Sequence, residues 1–474
     1  GGYLYDPARH PDIELHVAEG RHFLERSEEN YDVIQLSGVD TFSTTEAGAF
    51  SLSENYLYTV EAFQTFMRHL REGGVLTLTR WFYPDIQTDT LRLRASLRLL
   101  ALARSSLQRF GTQKPQNAVF FLKSDIFTVI LIKPDGFTPD EARALRDHSE
   151  HYRFDVLYTP YAKTPTITHA GRSYPNDLQN LMDSADPDRF VADQSFDVTP
   201  PVDDRPFFFE VSRFSQIFDT RHLINAIGGL TAHGLLLFLF LEVLVLGLFF
   251  VVYPLRRLSR EQSFPGAGRL RSGILIYFTA IGFGFIVVEI VLSQKFVLFL
   301  GHPVYSLAVI LFSVLLFSGI GAMLSSRMPK PQFATLVAAG LALIPALLFQ
   351  PIFEHCLAFS LPVRILISVL LLAPVGLVMG VPFPVGIRLL GQLRPSLIPW
   401  AWAINGYTSV LGSVMAVMLS IELGFMAVLI LAALIYALGV VGFRRMSVPG
   451  AGGQSEAHHS GAPDRHVEQV GCET

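Results

Sequence analysis

Acidic side chains stand at three places in this sequence where they could do chemistry. Glu19 follows a short apolar stretch, residues 13–17, and Asp40 follows another, residues 32–36. A carboxylate at the end of a buried strand can accept hydrogen bonds from an amine and orient it for reaction. Glu289 stands in the middle of a long apolar segment, where ionisable groups are costly and usually functional. These three acids are the candidate site residues.

Each of these acids also has an ordinary structural interpretation. Thr41 and Ser43 follow Asp40, which could therefore be a turn-forming acid at the start of a loop. Glu289 could pair with a residue on another helix. Lys295 is a poor partner for it, because six residues place the two side chains on different helical faces. We predict that Lys295 snorkels or pairs with a neighbour.

Short apolar strands and amphipathic helices alternate from residue 13 to residue 80. Strands are predicted over 13–17, 32–36 and 75–79, and helices over 21–26 and 60–70. This alternation predicts a parallel sheet with right-handed crossovers. Ligands of such sheets bind at the carboxyl ends of the strands. Glu19 and Asp40 are both expected at that edge.

Four stretches resemble, in order and spacing, the second half of the spermidine synthase fold: VAEGRHFL (17–24), YDVIQLSGVD (31–40), LYTVEAF (57–63) and LREGGVLTL (70–78). That family, the polyamine aminopropyltransferases, is a branch of the S-adenosylmethionine-dependent methyltransferase superfamily. Two more stretches, PVDDRPFFFEV (201–211) and GFGFIVVEIVLSQKFVLFLGHPVYSL (282–307), resemble bacterial proteins that fuse this domain to transmembrane helices. The chain opens without a methionine and soon reaches a predicted strand, so we expect an upstream part.

The resemblance implies roles for single residues. Glu19 and Gly20 match the family's acid-plus-small pair that contacts the adenine, with glutamate in place of the usual aspartate. Asp40 matches the second acid of the family's D-x-x-D stretch. Ser37 stands where the first acid, the proton acceptor, is expected, and a serine hydroxyl is no general base without a partner. The family's glycine-rich loop and ribose-binding acid would lie upstream.

Seven long apolar segments fill the second half of the chain, each close to the ~20 residues that cross a ~30 Å hydrocarbon core. They run over 235–253, 274–300, 304–325, 333–353, 365–385, 401–421 and 425–443. We predict a partial Rossmann-like methyltransferase-fold α/β domain over residues 1–227, incomplete at its N-terminus. An all-α polytopic membrane domain of about seven helices over 228–446 and a disordered tail over 447–474 are predicted to follow.

Basic residues concentrate in alternate loops of the membrane domain, which the positive-inside rule assigns to the cytoplasm. They are Arg256, Arg257, Arg260, Arg269, Arg271, Arg327, Lys330, Arg388, Arg394, Arg444 and Arg445. Seven spans then place the soluble domain outside the cytoplasm. A domain that uses S-adenosylmethionine should instead face the cytosol, so the sequence leaves the side of this domain open.

Other charged and polar stretches receive structural interpretations. Residues 203–205, Asp-Asp-Arg, are predicted to latch the soluble domain onto its own core or onto the membrane interface. The arginines of a helix predicted over 91–110 are expected to form a solvated face. Pro374, Pro382 and Pro384 are predicted to break the fifth apolar segment. A net charge of −4 and only two cysteines argue against nucleic-acid binding, a disulfide framework or a metal cluster.

The resemblance makes a membrane-anchored transferase in the cell inner membrane the leading hypothesis. S-adenosylmethionine or its decarboxylated form would be the donor and a polyamine or another amine the acceptor, with Asp40 and Glu19 orienting the amine and the adenine. The alternative is a transporter or sensor of a small cationic solute, with Glu289 in its path and a synthase-like domain that has lost catalysis. A third interpretation is a scaffold whose domain binds partners. The lipid bilayer is an expected partner, and a homo-oligomer is compatible with each hypothesis.

Overall fold

The computed structural model describes residues 11–37, 54–82, 85–87, 90–213, 232–254, 267–327 and 333–447. Within these residues an α/β domain is followed by a bundle of long apolar helices. Asp40 and the C-terminal tail lie outside the described residues, so the predictions made for them stay predictions.

The α/β domain begins with α1 (Gly20–Arg26), β1 (Tyr31–Ser37), α2 (Val60–Arg68) and β2 (Leu70–Trp81). It continues with β3 (Asp85–Gln87), β4 (Thr90–Arg92), α3 (Arg94–Phe110), β5 (Val119–Lys123), β6 (Phe127–Ile132) and α4 (Pro139–His151). Its last elements are β7 (Asp155–Tyr158), β8 (Thr166–His169), β9 (Arg172–Pro175), α5 (Asp177–Asp183) and α6 (Pro187–Ala192).

A mixed five-stranded sheet, in the order β1-β2-β6-β5-β7, forms the centre of this domain. β1 and β2 are parallel, and the other three neighbouring pairs are antiparallel. β5 and β6 form an antiparallel hairpin. The parallel sheet is confirmed only for β1 and β2. Phe63 and Phe66 of α2 share one buried core with Leu78 and Ile130 of the sheet.

The strand predicted over residues 13–17 is wrong. These residues belong to no strand, and the alternate apolar side chains of Ile13, Leu15 and Val17 are exposed. A strand needs a neighbour that takes its backbone hydrogen bonds. In the part of the chain that the structure describes, β1 pairs on one side with β2 and with no strand on the other.

The membrane domain consists of α7 (Ala232–Gly247), α8 (Ala267–Leu300), α9 (Pro303–Leu324), α10 (Ala334–Cys356), α11 (Leu361–Met379), α12 (Pro382–Leu393), α13 (Ile398–Leu423) and α14 (Phe425–Met446). A π-helical turn, Leu248–Val252, extends α7. Seven spans in the described chain are long and apolar enough to cross a membrane, α11 and α12 forming one of them, as predicted. The expected break lies between Met379 and Pro382, whereas Pro374 stays inside α11.

Glycines let the spans pack closely around α8. A Cβ atom on Gly321 of α9 would lie 1.9 Å from the carbonyl oxygen of Leu377 on α11. One on Gly442 of α14 would lie 2.5 Å from the backbone nitrogen of Tyr277 on α8. Small residues are the usual means of close helix contact in membranes. Two thirds of the α8 span (67%) is buried, against 11% of the α7 span.

Arg388 and Arg445 lie at the same end of the bundle. Arg388 donates to Ser325 Oγ at the end of α9 (2.8 Å), and Arg445 donates to Ser272 Oγ near the start of α8 (3.4 Å). α8 runs from this end to the opposite one, where the α/β domain docks. α7 runs alongside α13, since His233 lies 3.0 Å from Glu422 at the domain end and the Tyr407 hydroxyl donates to the carbonyl of Leu244 further along.

Candidate functional site

Helices α1 and α2 lie side by side and point the same way. Thr65 donates to Glu25 Oε1 (2.7 Å), and His69 Nε2 lies 3.2 Å from the carbonyl oxygen of Ser27. These contacts join the C-terminal halves of both helices, just before β1 and β2 begin. The N-terminal ends of both helices therefore lie at the carboxyl edge of the β1–β2 pair, where ligands of parallel sheets bind.

Glu19 lies at this edge as the N-cap of α1. Its carboxylate accepts hydrogen bonds from the backbone N–H of Arg21 (3.2 Å) and of His22 (2.9 Å). Burial acts to raise the pKa of Glu19, but the contacts with His22 and with both N–H groups outweigh it and hold that pKa below its usual range. The side chain is still 29% exposed, so it can accept a further hydrogen bond.

Of the other residues predicted near this edge, the structure describes Gly20 and Ser37. Gly20 follows Glu19 as the first residue of α1, and a Cβ atom there would only touch Leu57 at 4.0 Å, so packing does not require a glycine. Ser37 is the last residue of β1. Asp40 falls outside the described residues. The structure thus brings Glu19 and Gly20 to the expected edge without testing their contact with a nucleoside.

A buried ion pair joins α1 to residues 195–213, which we call the strap. Arg21 donates from Nη1 and Nη2 to the two carboxylate oxygens of Asp203, each at 2.8 Å. Thr59 donates to the same carboxylate at 2.7 Å. Burial acts to lower the pKa of Arg21, but Asp203 raises it further, so the guanidinium stays charged. Arg21 also lies 4.0 Å from Glu25 of the same helix, a longer contact than the pair with Asp203.

Asp204 joins the strap to the membrane domain. Its carboxylate lies 3.1 Å from Lys295 Nζ of α8 and accepts from the backbone N–H of Met426 (3.1 Å), while its carbonyl accepts from that of Phe425 (2.9 Å). An acid at a helix N-terminus satisfies free N–H groups and faces the positive end of the helix dipole. The latch predicted for residues 203–205 and the pairing predicted for Lys295 are both confirmed.

Arg98 of α3 holds the strap from inside the α/β domain. It is 1% exposed and donates to the carbonyl oxygens of Thr199 (3.1 Å) and Phe208 (3.0 Å), with the carboxylate of Asp197 at 3.5 Å. Burial lowers the pKa of Arg98 to about 10. The solvated face predicted for the α3 arginines is therefore wrong at Arg98. Buried carbonyls of the strap need donors, and a guanidinium supplies five.

Tyr56 lies where the α/β domain meets α8. Its hydroxyl donates to the carbonyl oxygen of Gln294 at 2.9 Å. Burial, followed by the nearby carboxylates of Glu54, Asp203 and Asp204, raises the pKa of Tyr56 well above its usual value. Burial also raises the pKa of Glu54, which hydrogen-bonds the Gln294 side chain. We call the cluster of Tyr56, Glu54, Asp203 and Asp204, together with Arg21 and Lys295, the acidic junction.

Glu289 lies on α8, farther into the span than the acidic junction. It precedes Lys295 by six residues, about 9 Å along a helix. It is 7% exposed, and its carboxylate has neither an ion pair nor a hydrogen bond with any described residue. Lys295 is paired with Asp204 instead, as its different helical face led us to expect. The structure therefore gives Glu289 no partner among the described residues.

Sequence reasoning missed one ionisable cluster at the same end of the bundle. His233 at the start of α7 is 1% exposed, with Nδ1 3.0 Å from Glu210 of the strap and Nε2 3.0 Å from Glu422 of α13. Burial acts to raise the pKa of Glu210, but the contacts with His233 and Ser212 outweigh it and lower that pKa. The available signal was that His233 and Glu422 both flank apolar segments on the side with few basic residues.

Comparison of the chain with protein-family models, with curated proteins and with solved structures finds no match. The described residues also contain no group of three His, Cys, Asp or Glu side chains that could hold a metal ion. The carboxylates at this end of the bundle are suited to bind a positively charged group. Four carboxylates, those of Glu54, Glu61, Asp203 and Asp204, lie with three cations, Arg21, Lys295 and Arg109, in and beside the acidic junction. Glu289 lies farther into the span.

Proposed function

We propose that this chain recognises a small cationic solute and takes it from the acidic junction toward Glu289 in the membrane domain. The observation that carries the proposal is Glu289 itself, a buried carboxylate without a partner in the described structure. An ionised carboxylate at membrane depth is stable only with a counter-charge or water beside it. A cationic solute would supply that charge.

The junction above Glu289 suits the entry of such a solute. The carboxylates of Glu54, Glu61, Asp203 and Asp204 outnumber by one the three cations beside them, Arg21, Lys295 and Arg109. An excess of one sign of charge raises the local concentration of ions of the opposite sign. The α/β domain would then cover the entrance as a binding module rather than act as a catalyst.

The side of the membrane on which the α/β domain is expected also supports this function. The α/β domain docks at the end of the bundle opposite Arg388, Arg394 and Arg445. The positive-inside rule assigns the arginine end to the cytoplasm, so we propose that the domain faces outward, away from cytosolic S-adenosylmethionine. In intact cells an impermeant thiol reagent should label cysteine at exposed Glu150 and leave cysteine at Arg394 unlabelled. Labelling at Arg394 alone would reverse the assignment.

The test of cation recognition is binding and uptake by the full chain in proteoliposomes, with radiolabelled spermidine and putrescine as probes. Glu289→Gln keeps the size of the side chain and removes its charge, so uptake should fall at least tenfold while the melting temperature stays unchanged. Glu28→Gln, at an exposed position of the α/β domain, is the matched control and should retain uptake. Equal uptake by Glu289→Gln and the unsubstituted protein would make the helices an anchor.

A second candidate is the membrane-anchored, spermidine synthase-like transferase. One observation favours it: Glu19 and Gly20 lie at the carboxyl edge of a parallel strand pair, and Glu19 can still accept a hydrogen bond from an adenine amine. A partial Rossmann-like fold would be part of this function. S-adenosylmethionine or its decarboxylated form would be the donor, with Asp40 orienting an amine.

Calorimetry on the full-length protein distinguishes the candidates. The transferase requires measurable binding of S-adenosylmethionine or methylthioadenosine, weakened by Asp40→Ala. Absence of binding by either nucleoside removes the transferase and leaves cation recognition untouched.

A further inference from the structure

Glu242 stands at the centre of the first span and on its outer surface. It is the tenth of the 20 residues from His233 to Val252, so about 14 Å of helix separates it from either end. Its side chain is exposed in the structure. Among the described residues, no hydrogen bond or ion pair reaches its carboxyl group.

The packing of α7 fixes the direction in which Glu242 points. α7 contacts α13 through one face, where Tyr407 donates to the carbonyl of Leu244 and its ring covers Gly247. Leu236 is buried on this same face. Glu242 is two residues from Leu244, half a turn around the helix, and therefore points away from the bundle.

Large apolar side chains surround Glu242 on the outward face. The positions three, four and seven residues away all lie on this face and are exposed: Phe238, Leu239, Val245, Leu246 and Phe249. Their exposure alone means little, because lipid covers apolar side chains at this depth. The carboxyl group differs from them, since hydrocarbon can neither solvate its charge nor bond its protonated form.

We propose that the Glu242 face of α7 pairs with the same face of a second copy of this chain. The two Glu242 side chains would be neutral and hydrogen-bonded to each other across a two-fold axis. A protonated carboxyl group both donates and accepts, so it is complementary to itself. Two-fold pairing brings a residue on the axis against its own copy. This inference is independent of the proposed cation recognition.

An ion pair between Glu242 and a cation of the second copy explains the pairing less well than carboxyl–carboxyl bonding does. In the described spans, Lys and Arg residues stand near helix ends or already have partners, as Lys295 has in Asp204 and Arg388 in Ser325. The described spans of a second copy therefore bring no free cation to the depth of Glu242. Carboxyl–carboxyl bonding needs only the group that each copy carries.

Cysteine cross-linking of the full chain tests the pairing. The native Cys356 and Cys472 are first replaced by serine, and single cysteines are then placed by Leu246→Cys or Leu370→Cys. Leu246 lies one turn from Glu242 on the proposed interface. Leu370 is 63% exposed on α11 and is the tenth residue of its span, whereas Leu246 is the fourteenth of its own. The two positions thus differ in depth by only about 6 Å, and Leu370→Cys reports random collisions. In native membranes, oxidation should give dimers with Leu246→Cys and not with Leu370→Cys.

Variants of Glu242 in the Leu246→Cys background test the carboxyl group. Glu242→Leu should lower the dimer yield at least tenfold while the chain stays folded, because the Glu242 side chain points away from the core of the bundle. Glu242→Gln should retain dimers, since an amide also donates and accepts. Unchanged dimers with Glu242→Leu, dimers of equal yield from Leu370→Cys, or cross-links from Leu246→Cys to a different protein would each overturn the proposal.

Discussion

Charged groups at the junction and charged groups within the spans differ in how they are satisfied. At the junction, Arg21 faces Asp203 and Lys295 faces Asp204, with short contacts and shared hydrogen bonds. In the spans, Glu289 and Glu242 have no partner among the described residues. Paired charges fix the position of one domain on the other. Unpaired carboxyl groups at membrane depth are instead available to a solute or to another chain.

Removing one member of a buried pair should have the largest effect on stability. Arg21→Met leaves Asp203 buried without its counter-charge, so it should cost about 3–5 kcal/mol. Hydrogen exchange of the β2 amides in the purified full chain measures this cost. Arg71→Met removes the exposed pair with Asp32 and should cost less than about 1 kcal/mol. Equal costs for the two variants would contradict the distinction between buried and exposed pairs.

Removing Asp204 should have an intermediate effect on stability, and it should weaken the attachment of the α/β domain to the membrane domain. Asp204→Ala leaves Lys295 without its partner and leaves the first N–H groups of α14 uncapped. Because the Asp204 side chain is 36% exposed, water screens the lost pair, and the combined cost should be about 2–3 kcal/mol. The expected readout is faster proteolysis of the strap in nanodiscs, with the α/β domain itself still folded. Unaltered proteolysis would show that Asp204 does not hold the domains together.

Two acids of the α/β domain should give smaller, opposite pH effects. Folding raises the pKa of Glu54, so its contribution to stability is present below the unfolded pKa and is lost as the pH rises through the folded pKa. Folding lowers the pKa of Glu19, so its contribution is present above the unfolded pKa and is lost as the pH falls through the folded pKa.

The two glutamine variants separate these effects. Glu54→Gln should raise the melting temperature at pH 7 and flatten its decline above about pH 5, close to the ordinary range of a glutamate. Glu19→Gln should lower the melting temperature at pH 7 and weaken its decline in acid. Melting curves between about pH 4 and pH 8 measure both, and shifts of the same sign would contradict the assigned directions.

The smallest effect on stability is expected at Glu289. Glu289→Gln breaks no ion pair or hydrogen bond among the described residues, so its free energy of unfolding should change by less than about 1 kcal/mol. Hydrogen exchange of the α8 amides in nanodiscs provides the measurement. A loss of several kcal/mol would place Glu289 with the paired charges of the junction.

Sequence reasoning succeeded where a signal is local. The spans were found from apolar segments of membrane length, and β1 and β2 from short apolar runs between turn residues. It failed where a partner is distant. Arg98 was assigned to a solvated face because its acceptors, the carbonyls of Thr199 and Phe208, lie 101 and 110 residues further along the chain. The partner of Arg21 is 182 residues away and could not be identified by spacing.

The position of Asp204 in the chain also sets the order of events during synthesis. Its partners are Lys295, 91 residues later, and Met426, 222 residues later. At about 5–20 residues per second, a ribosome needs roughly 11–44 s to travel from Asp204 to the start of α14. The α/β domain therefore emerges well before the surface that receives it. Docking of the strap onto the membrane domain is therefore a late step of assembly. In a chain that stops before α14, Asp204 would lack its contact with Met426 and would be accessible to membrane proteases.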